Sequence, residues 1–319
     1  MKKLVYYIGA LACIVFSLFS CIQDDLSICK PDGIIPQFIL VPYEGNNIIN
    51  DSLYSATLCV FDEQDHFIAS YQIPGRPELN KTYTPDWGLS PGTYHFSMWL
   101  NYHKVNVEPC IIGKTMRHDT MIRLAIPDSK IVDDPGSIPF LCHGRLENEE
   151  VSEENQLFTI PVMQLTNKIN LRVTGLKQAG SFLRASAAES DDYLFSIEDN
   201  NGYYRIGGDF GSGSYFTYST NKRIDSDTLD ASLTVLKLSA TRFNPTISFR
   251  NLTTRKQLFS EDLTNSLIQL ILSEYPDNDF DKNHDYYIEI NSSPEKEITV
   301  TVTINGWIDN KSDHELDIN

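Results

Sequence analysis

Apolar and polar residues alternate with a period of two through much of this chain, and that period leaves few folds open. Tyr54, Ala56, Leu58 and Val60 alternate with Ser55 and Thr57. Tyr94, Phe96, Met98 and Leu100 alternate with His95, Ser97 and Trp99. The same holds for Ile169, Leu171 and Val173, and for Ile298, Val300, Val302 and Ile304. Successive side chains of a strand point to opposite faces, so each segment predicts a strand with one apolar and one wet face. That pattern belongs to antiparallel sheets packed on one side. Ser90-Pro91-Gly92, Asp199-Asn200-Asn201-Gly202 and Asn305-Gly306 supply turns. Only residues 263–273 read as a helix, with Leu263, Leu267, Ile268, Leu270 and Ile271 near one face.

The expected fold is all-β, with two antiparallel β-sandwich domains. A chain of 319 residues usually divides in this way. Glu147, Glu149, Glu150, Glu153 and Glu154 cluster, and mark an acidic linker over residues 147–156. One sandwich is expected over residues 30–146, a second over 157–309, and a polar tail over 310–319. The net charge of −17 argues against a nucleic-acid partner, because phosphate binding needs clustered Lys and Arg.

The N-terminus reads as an address. Lys2 and Lys3 precede an uncharged, mostly apolar run over residues 4–19. A membrane-spanning helix needs about 20 residues, so a signal peptide over residues 1–20 is the better reading. The run ends at Leu18-Phe19-Ser20-Cys21, an aliphatic residue at −3 and a small one at −1 before Cys, the lipobox pattern of bacterial lipoproteins. Cys21 is the expected lipidation site, since its thiol takes the diacylglycerol, and residues 21–29 are the lipidated tether. Acyl chains hold a protein at a bilayer with about 0.8 kcal/mol per buried CH₂. Ile22-Gln23-Asp24-Asp25 resembles the surface-export signal of Bacteroidetes lipoproteins, which makes Gln23, Asp24 and Asp25 a candidate signal. Cys29, Cys59, Cys110 and Cys142 remain in the mature chain. Four cysteines allow three pairings, between which sequence does not choose, and Cys59 inside an apolar strand also fits a buried thiol.

Catalytic and metal motifs are weak. Asp277, Asp279 and Asp281 have the first spacing of a calcium loop, but Lys282 and Ile288 occupy its Gly and Glu positions. Gly208, Gly211 and Gly213 lack the Lys-Ser/Thr of a phosphate loop. No Ser or Cys stands with a recognisable base, and the seven histidines are scattered. Neither an enzyme, a cofactor nor a metal is expected. Trp87, Tyr203 and Tyr204 are a candidate ligand surface, because aromatic faces pack on sugars; sandwich core is the alternative use of such residues.

Several motifs occur in an order that resembles one family. Cys21 and its acidic stretch lead to Cys29-Lys30-Pro31, and then to the strand Phe38-Ile39-Leu40-Val41. Leu58-Cys59-Val60-Phe61-Asp62-Glu63 follows, then Leu89-Ser90-Pro91-Gly92-Thr93-Tyr94-His95-Phe96, Phe140-Leu141-Cys142-His143-Gly144, the strand over residues 169–176 and Ile304-Asn305-Gly306-Trp307. In this the chain resembles the FimB-type fimbrial anchor lipoproteins of Bacteroidetes, which belong to type V pili. The resemblance implies two transthyretin-like β-sandwiches and a cell-surface role. That role is an outer-membrane lipoprotein that anchors or caps a fimbrium and supports its assembly and cell adhesion. Its implied partners are fimbrillin or other pilus subunits, joined by strand addition, and the outer membrane, reached through lipid. Such anchor chains lie at the cell outer membrane, surface-exposed, and in the fimbrium. The residues after Trp307 are short and charged, a poor donor strand for a next subunit. The alternative function is a surface lipoprotein that binds glycan or another extracellular ligand.

Overall fold

The structure is a computed structural model. It describes residues 33–44, 48–102, 105–107, 110–119, 121–124, 131–132, 138–175, 192–211, 216–223, 228–239, 245–253, 255, 257–262, 284–291, 299–304 and 316–317. The described residues form strands joined by turns and loops, with a 3₁₀ turn at Asn50–Ser52. The expected helix at 263–273, the signal segment, Cys21, Cys29 and the Asp277–Asp281 loop lie outside the described residues. No described helix is long and apolar enough to cross a membrane.

The first unit is built on β1 (Gln37–Pro42), β2 (Ala56–Asp62), β3 (Phe67–Gln72), β4 (Thr82–Tyr83) and β5 (Gly92–Leu100), and is completed by β9 (Cys142–Val151) and β10 (Leu157–Gln164). They form one sheet in the order β3-β2-β5-β9-β10-β1-β4. The sheet folds over itself. Phe38 of β1 and Phe96 of β5 have ring centroids 5.1 Å apart, although β9 and β10 lie between their strands. In a flat sheet, strands three places apart would be roughly 14 Å from each other. The fold line runs between β9 and β10, which pair only at Val162↔Gly144, Met163↔His143 and Gln164↔Cys142. Gly144 stands there because a Cβ would meet the Pro161 carbonyl oxygen at 2.6 Å. Phe38, Leu40, Leu58, Val60, Phe96, Met98, Phe158 and Ile160 fill the enclosed core.

The second unit is a sandwich of two sheets. One has the order β15 (Leu229–Leu236), β11 (Thr166–Thr174), β18 (Asp285–Asn291), β19 (Thr299–Ile304), β20 (Leu316–Asp317). The other runs β17 (Gln257–Asp262), β16 (Thr246–Asn251), β12 (Asp192–Asp199), β14 (Phe216–Arg223), β8 (Ile131–Val132). Ile169, Leu171, Leu233, Val235, Ile288 and Ile290 from the first sheet share a core with Phe195, Ile197, Tyr218, Ile247 and Phe249 from the second.

Between β5 and β9 the chain makes a long excursion onto the second unit. Besides β8, it supplies β6 (Val105–Val107) and β7 (Met121–Leu124), which join β13 (Tyr203–Arg205) in a small sheet.

Three expectations are corrected. Most ladders are antiparallel, but β1 with β10, β11 with β18 and β14 with β8 run parallel. The acidic run at 147–156 is not a linker. Glu149 and Glu150 lie in β9, paired with Tyr94 and Thr93 of β5, and Ser152 and Asn155 close the turn into β10. Its charged side chains stay in water while its backbone is paired, so the first sheet runs on to Gln164. Finally, β2 and β5 have no wet face. His95, Ser97 and Trp99 are buried because the second unit and the excursion cover them.

Candidate interaction site at the junction of the two units

The joint is assembled on the outer face of β5, the face that alternation left for water. Trp99 Nε1 donates to the Ile206 carbonyl at 2.7 Å, and the Ser97 hydroxyl donates to the same oxygen. Ser97 has one proton and has spent it there, so its oxygen accepts from His143 Nε2 at 2.9 Å. His143 is therefore the Nε2–H tautomer. Burial, with the charges of Arg145 and Arg117 adding to it, lowers its pKa to about 3, so it is neutral at pH 7. Its ring lies 4.5 Å from that of Trp99. Gly208 closes over it with φ +91°, and a Cβ there would meet the imidazole at 2.1 Å. No other residue type fits both demands.

Beside this joint lies an ion network. Asp65, in the β2–β3 turn, accepts from Arg117 Nε at 2.7 Å and lies 2.8 Å from His118 Nε2. Arg117 reaches Glu147 at 3.2 Å, and Arg145 reaches Asp209 at 3.0 Å. Burial pushes the Asp65 carboxyl up, but the hydrogen bond and charge of Arg117, with His118 and His95, outweigh it and hold the pKa below the usual value. The network ties the first unit, the excursion and the second unit together. A cleft of about 530 Å³ opens next to it, lined by Tyr43, Arg145, Met163, Asp209, Phe210 and Lys237.

Asn101 anchors the root of the excursion. Its Oδ1 accepts from Tyr54 N–H at 2.7 Å, and its Nδ2 donates to Ser52 and Phe140 carbonyls at 2.7 and 2.8 Å. Asp199 sits at the end of β12, 2% exposed, and its Oδ2 has no hydrogen-bond partner among the described residues. Burial raises its pKa to about 7, against the opposing hydrogen bond from Asn200 N–H.

The candidate ligand surface is not assembled. Tyr204 is 1% exposed, donates to the Leu165 carbonyl and packs 5.9 Å from Trp99. Tyr203 is half-buried in β13 and lies against Gly211. Trp87 packs against the core of the first unit and donates to the Ser70 carbonyl at 3.2 Å. Trp87 and Tyr204 thus belong to different cores. Among the described residues no group of three or more His, Cys, Asp or Glu side chains could hold a metal ion. Sequence reasoning missed Ser97, Asn101, Asp65, Arg117, His143 and Gly208 as a set. The available signal was His143-Gly144 interrupting an apolar entry to β9.

Edge strands show which surfaces admit another chain. The outer side of β3 is blocked: Phe67 N–H donates to Thr115, Gly113 N–H donates to Phe67, and Trp87 caps Ser70. On the outer side of β17 no strand is paired among the described residues.

The family of fimbrillin-A associated anchor proteins Mfa1 and Mfa2 matches over residues 36–312. The chain belongs to this family. The match spans β1 through β19, hence both units and the joint. A candidate adhesin from Bacteroides thetaiotaomicron superposes with a TM-score of 0.67 at 19% identity, covering 88% of this chain and 97% of that one. A candidate polysaccharide-binding protein of the same organism gives 0.66 at 15% identity, covering 86% and 96%. The fimbrial anchor protein Mfa2 of Porphyromonas gingivalis gives 0.64 at 19% identity, covering 86% and 97%. At these identities the superpositions speak for a shared fold. No curated protein matches the chain in sequence. Membership in this fimbrial anchor family gives the chain a fimbrial role at the cell surface.

Proposed function

We propose that this family member is a non-enzymatic outer-membrane lipoprotein that anchors or caps a type V pilus and supports its assembly and cell adhesion. The family match across nearly the whole chain carries the reading. Acyl chains on Cys21 hold the membrane end, and Gln23, Asp24 and Asp25 direct export to the surface. Pilus subunits dock by strand addition, and β17, which ends its sheet among the described residues, is the edge offered to them. Leu316–Asp317 lies as β20 against β19 of its own sheet, which favours a subunit that ends the polymer over one that passes its tail on. The test compares cells carrying wild type, Cys21→Ser, or Leu316→Asp with Ile318→Asp. Wild type should incorporate labelled palmitate and co-purify with fimbrillin. Cys21→Ser should lose the label and shed fibres into the medium, and the tail variant should keep its fibres. Palmitate labelling that survives Cys21→Ser, or fibres lost with the tail variant, would refute the corresponding part.

A further inference from the structure

Cys59 and Cys142 lie on opposite faces of one sheet. Cys142 belongs to the enclosed core of the first unit, whereas Cys59 faces the joint with Phe61, Phe67 and Trp99. The sheet itself separates the two thiols. Cys110 packs against the same joint core as Cys59 and is only half-buried. Its position is held from two sides. After it, the turn at 111–115 is bonded to β3, where Gly113 N–H donates to Phe67 at 2.9 Å and Phe67 N–H donates to Thr115 at 2.8 Å. Phe67 pairs with Phe61, two residues along β2 from Cys59. Before it, the Tyr102 hydroxyl donates to Thr57 Oγ1 at 2.7 Å, and Thr57 shares the outer face of β2 with Cys59. Burial raises the pKa of the Tyr102 phenol, the Thr57 hydrogen bond opposes the rise, and Cys59 and Cys110 add to it.

We propose that Cys59 and Cys110 form a disulfide that staples the root of the excursion to β2. The order of steps follows from exposure. The accessible Cys110 thiolate attacks a sulfur of an oxidising disulfide, such as oxidised glutathione or a thiol oxidoreductase. One thiolate leaves and a mixed disulfide remains. The Cys59 thiolate then attacks the Cys110 sulfur and expels the second thiolate. The oxidant gains the two electrons, and the two cysteine protons end on the released thiols. Burial, and then Cys110, raise the Cys59 thiol well above its ordinary pKa, so the second step quickens as pH rises.

The test uses the purified protein in oxidised and reduced glutathione, and so does not depend on export or lipidation. After alkylation in denaturant, digestion and mass spectrometry should find one cross-linked peptide pair containing Cys59 and Cys110, with Cys142 alkylated. The link should persist in Cys142→Ser and vanish in Cys110→Ser. Reductant should lower the Tm of wild type and of Cys142→Ser, and leave Cys110→Ser unchanged. Alkylation of both Cys59 and Cys110 in the oxidising buffer overturns the proposal. So does a link from Cys110 to Cys29 or Cys142, or an equal fall in Tm for wild type and Cys110→Ser.

Discussion

Two buried ionisable residues give the protein opposed pH responses. His143 is held neutral, with a folded pKa of about 3 against an ordinary value of about 6.5. Between those pH values the unfolded chain binds the proton and the folded one does not. Its contribution is therefore complete above pH 6.5 and is lost as pH falls towards 3, by up to about 5 kcal/mol. Asp199 works the other way. Its folded pKa of about 7 lies above the ordinary 3.8, so the folded state holds the proton longer. Stability falls as pH rises from about 4 to 7, by up to about 4 kcal/mol. Urea titrations across pH separate the two. His143→Gln keeps a donor towards Ser97 and should flatten the acid limb below pH 6.5. Asp199→Asn should remove the decline between pH 4 and 7. An acid limb unchanged by His143→Gln would place its cause elsewhere.

At the scale of elements, the excursion between β5 and β9 is the least ordinary part of the fold. One Asn side chain closes its root, bonding to Ser52, Tyr54 and Phe140. Asn101→Ala leaves three backbone groups without their partner in a part-buried setting, where each orphan costs about 1 kcal/mol, the low end of the buried range. The expected loss is about 3 kcal/mol by chemical denaturation, with protease cutting shifted into residues 101–141. A change under about 0.5 kcal/mol would mean that solvent replaces those bonds. The proposed staple acts on the same element. Closing the loop between residues 59 and 110 would stabilise the fold by up to about 4 kcal/mol on the chain-entropy account.

At the scale of the molecule, the two sandwiches share a core. Phe61, Phe67 and Trp99 of the first unit lie in the same cluster as Ile169, Phe195 and Ile288 of the second. Opening the joint would also break the bonds from Trp99 and Ser97 to the Ile206 carbonyl and the Arg145–Asp209 pair. Calorimetry should therefore give one cooperative transition, with equal calorimetric and van't Hoff enthalpies. Two resolved peaks would show that the joint contributes little.

The local β character was legible residue by residue. Ile169, Leu171 and Val173 alternate as read and face the core, because a strand's period is a property of the backbone alone. The order of motifs along the chain was also enough to point to the fimbrial anchor family. The second covering of β5 was not legible. His95, Ser97 and Trp99 carry polar atoms, so alternation assigns them to water. Only the arrival of the Ile206 carbonyl at Trp99 and Ser97, and of Asn148 N–H at His95, satisfies those atoms out of water. The acidic run misled for a related reason: Glu149 and Glu150 speak of solvent, while their backbone groups were free to join a ladder. Side-chain chemistry along the chain thus determined the strands. Long-range closure, which brings Ile206 to Trp99, decided which of their faces became the joint.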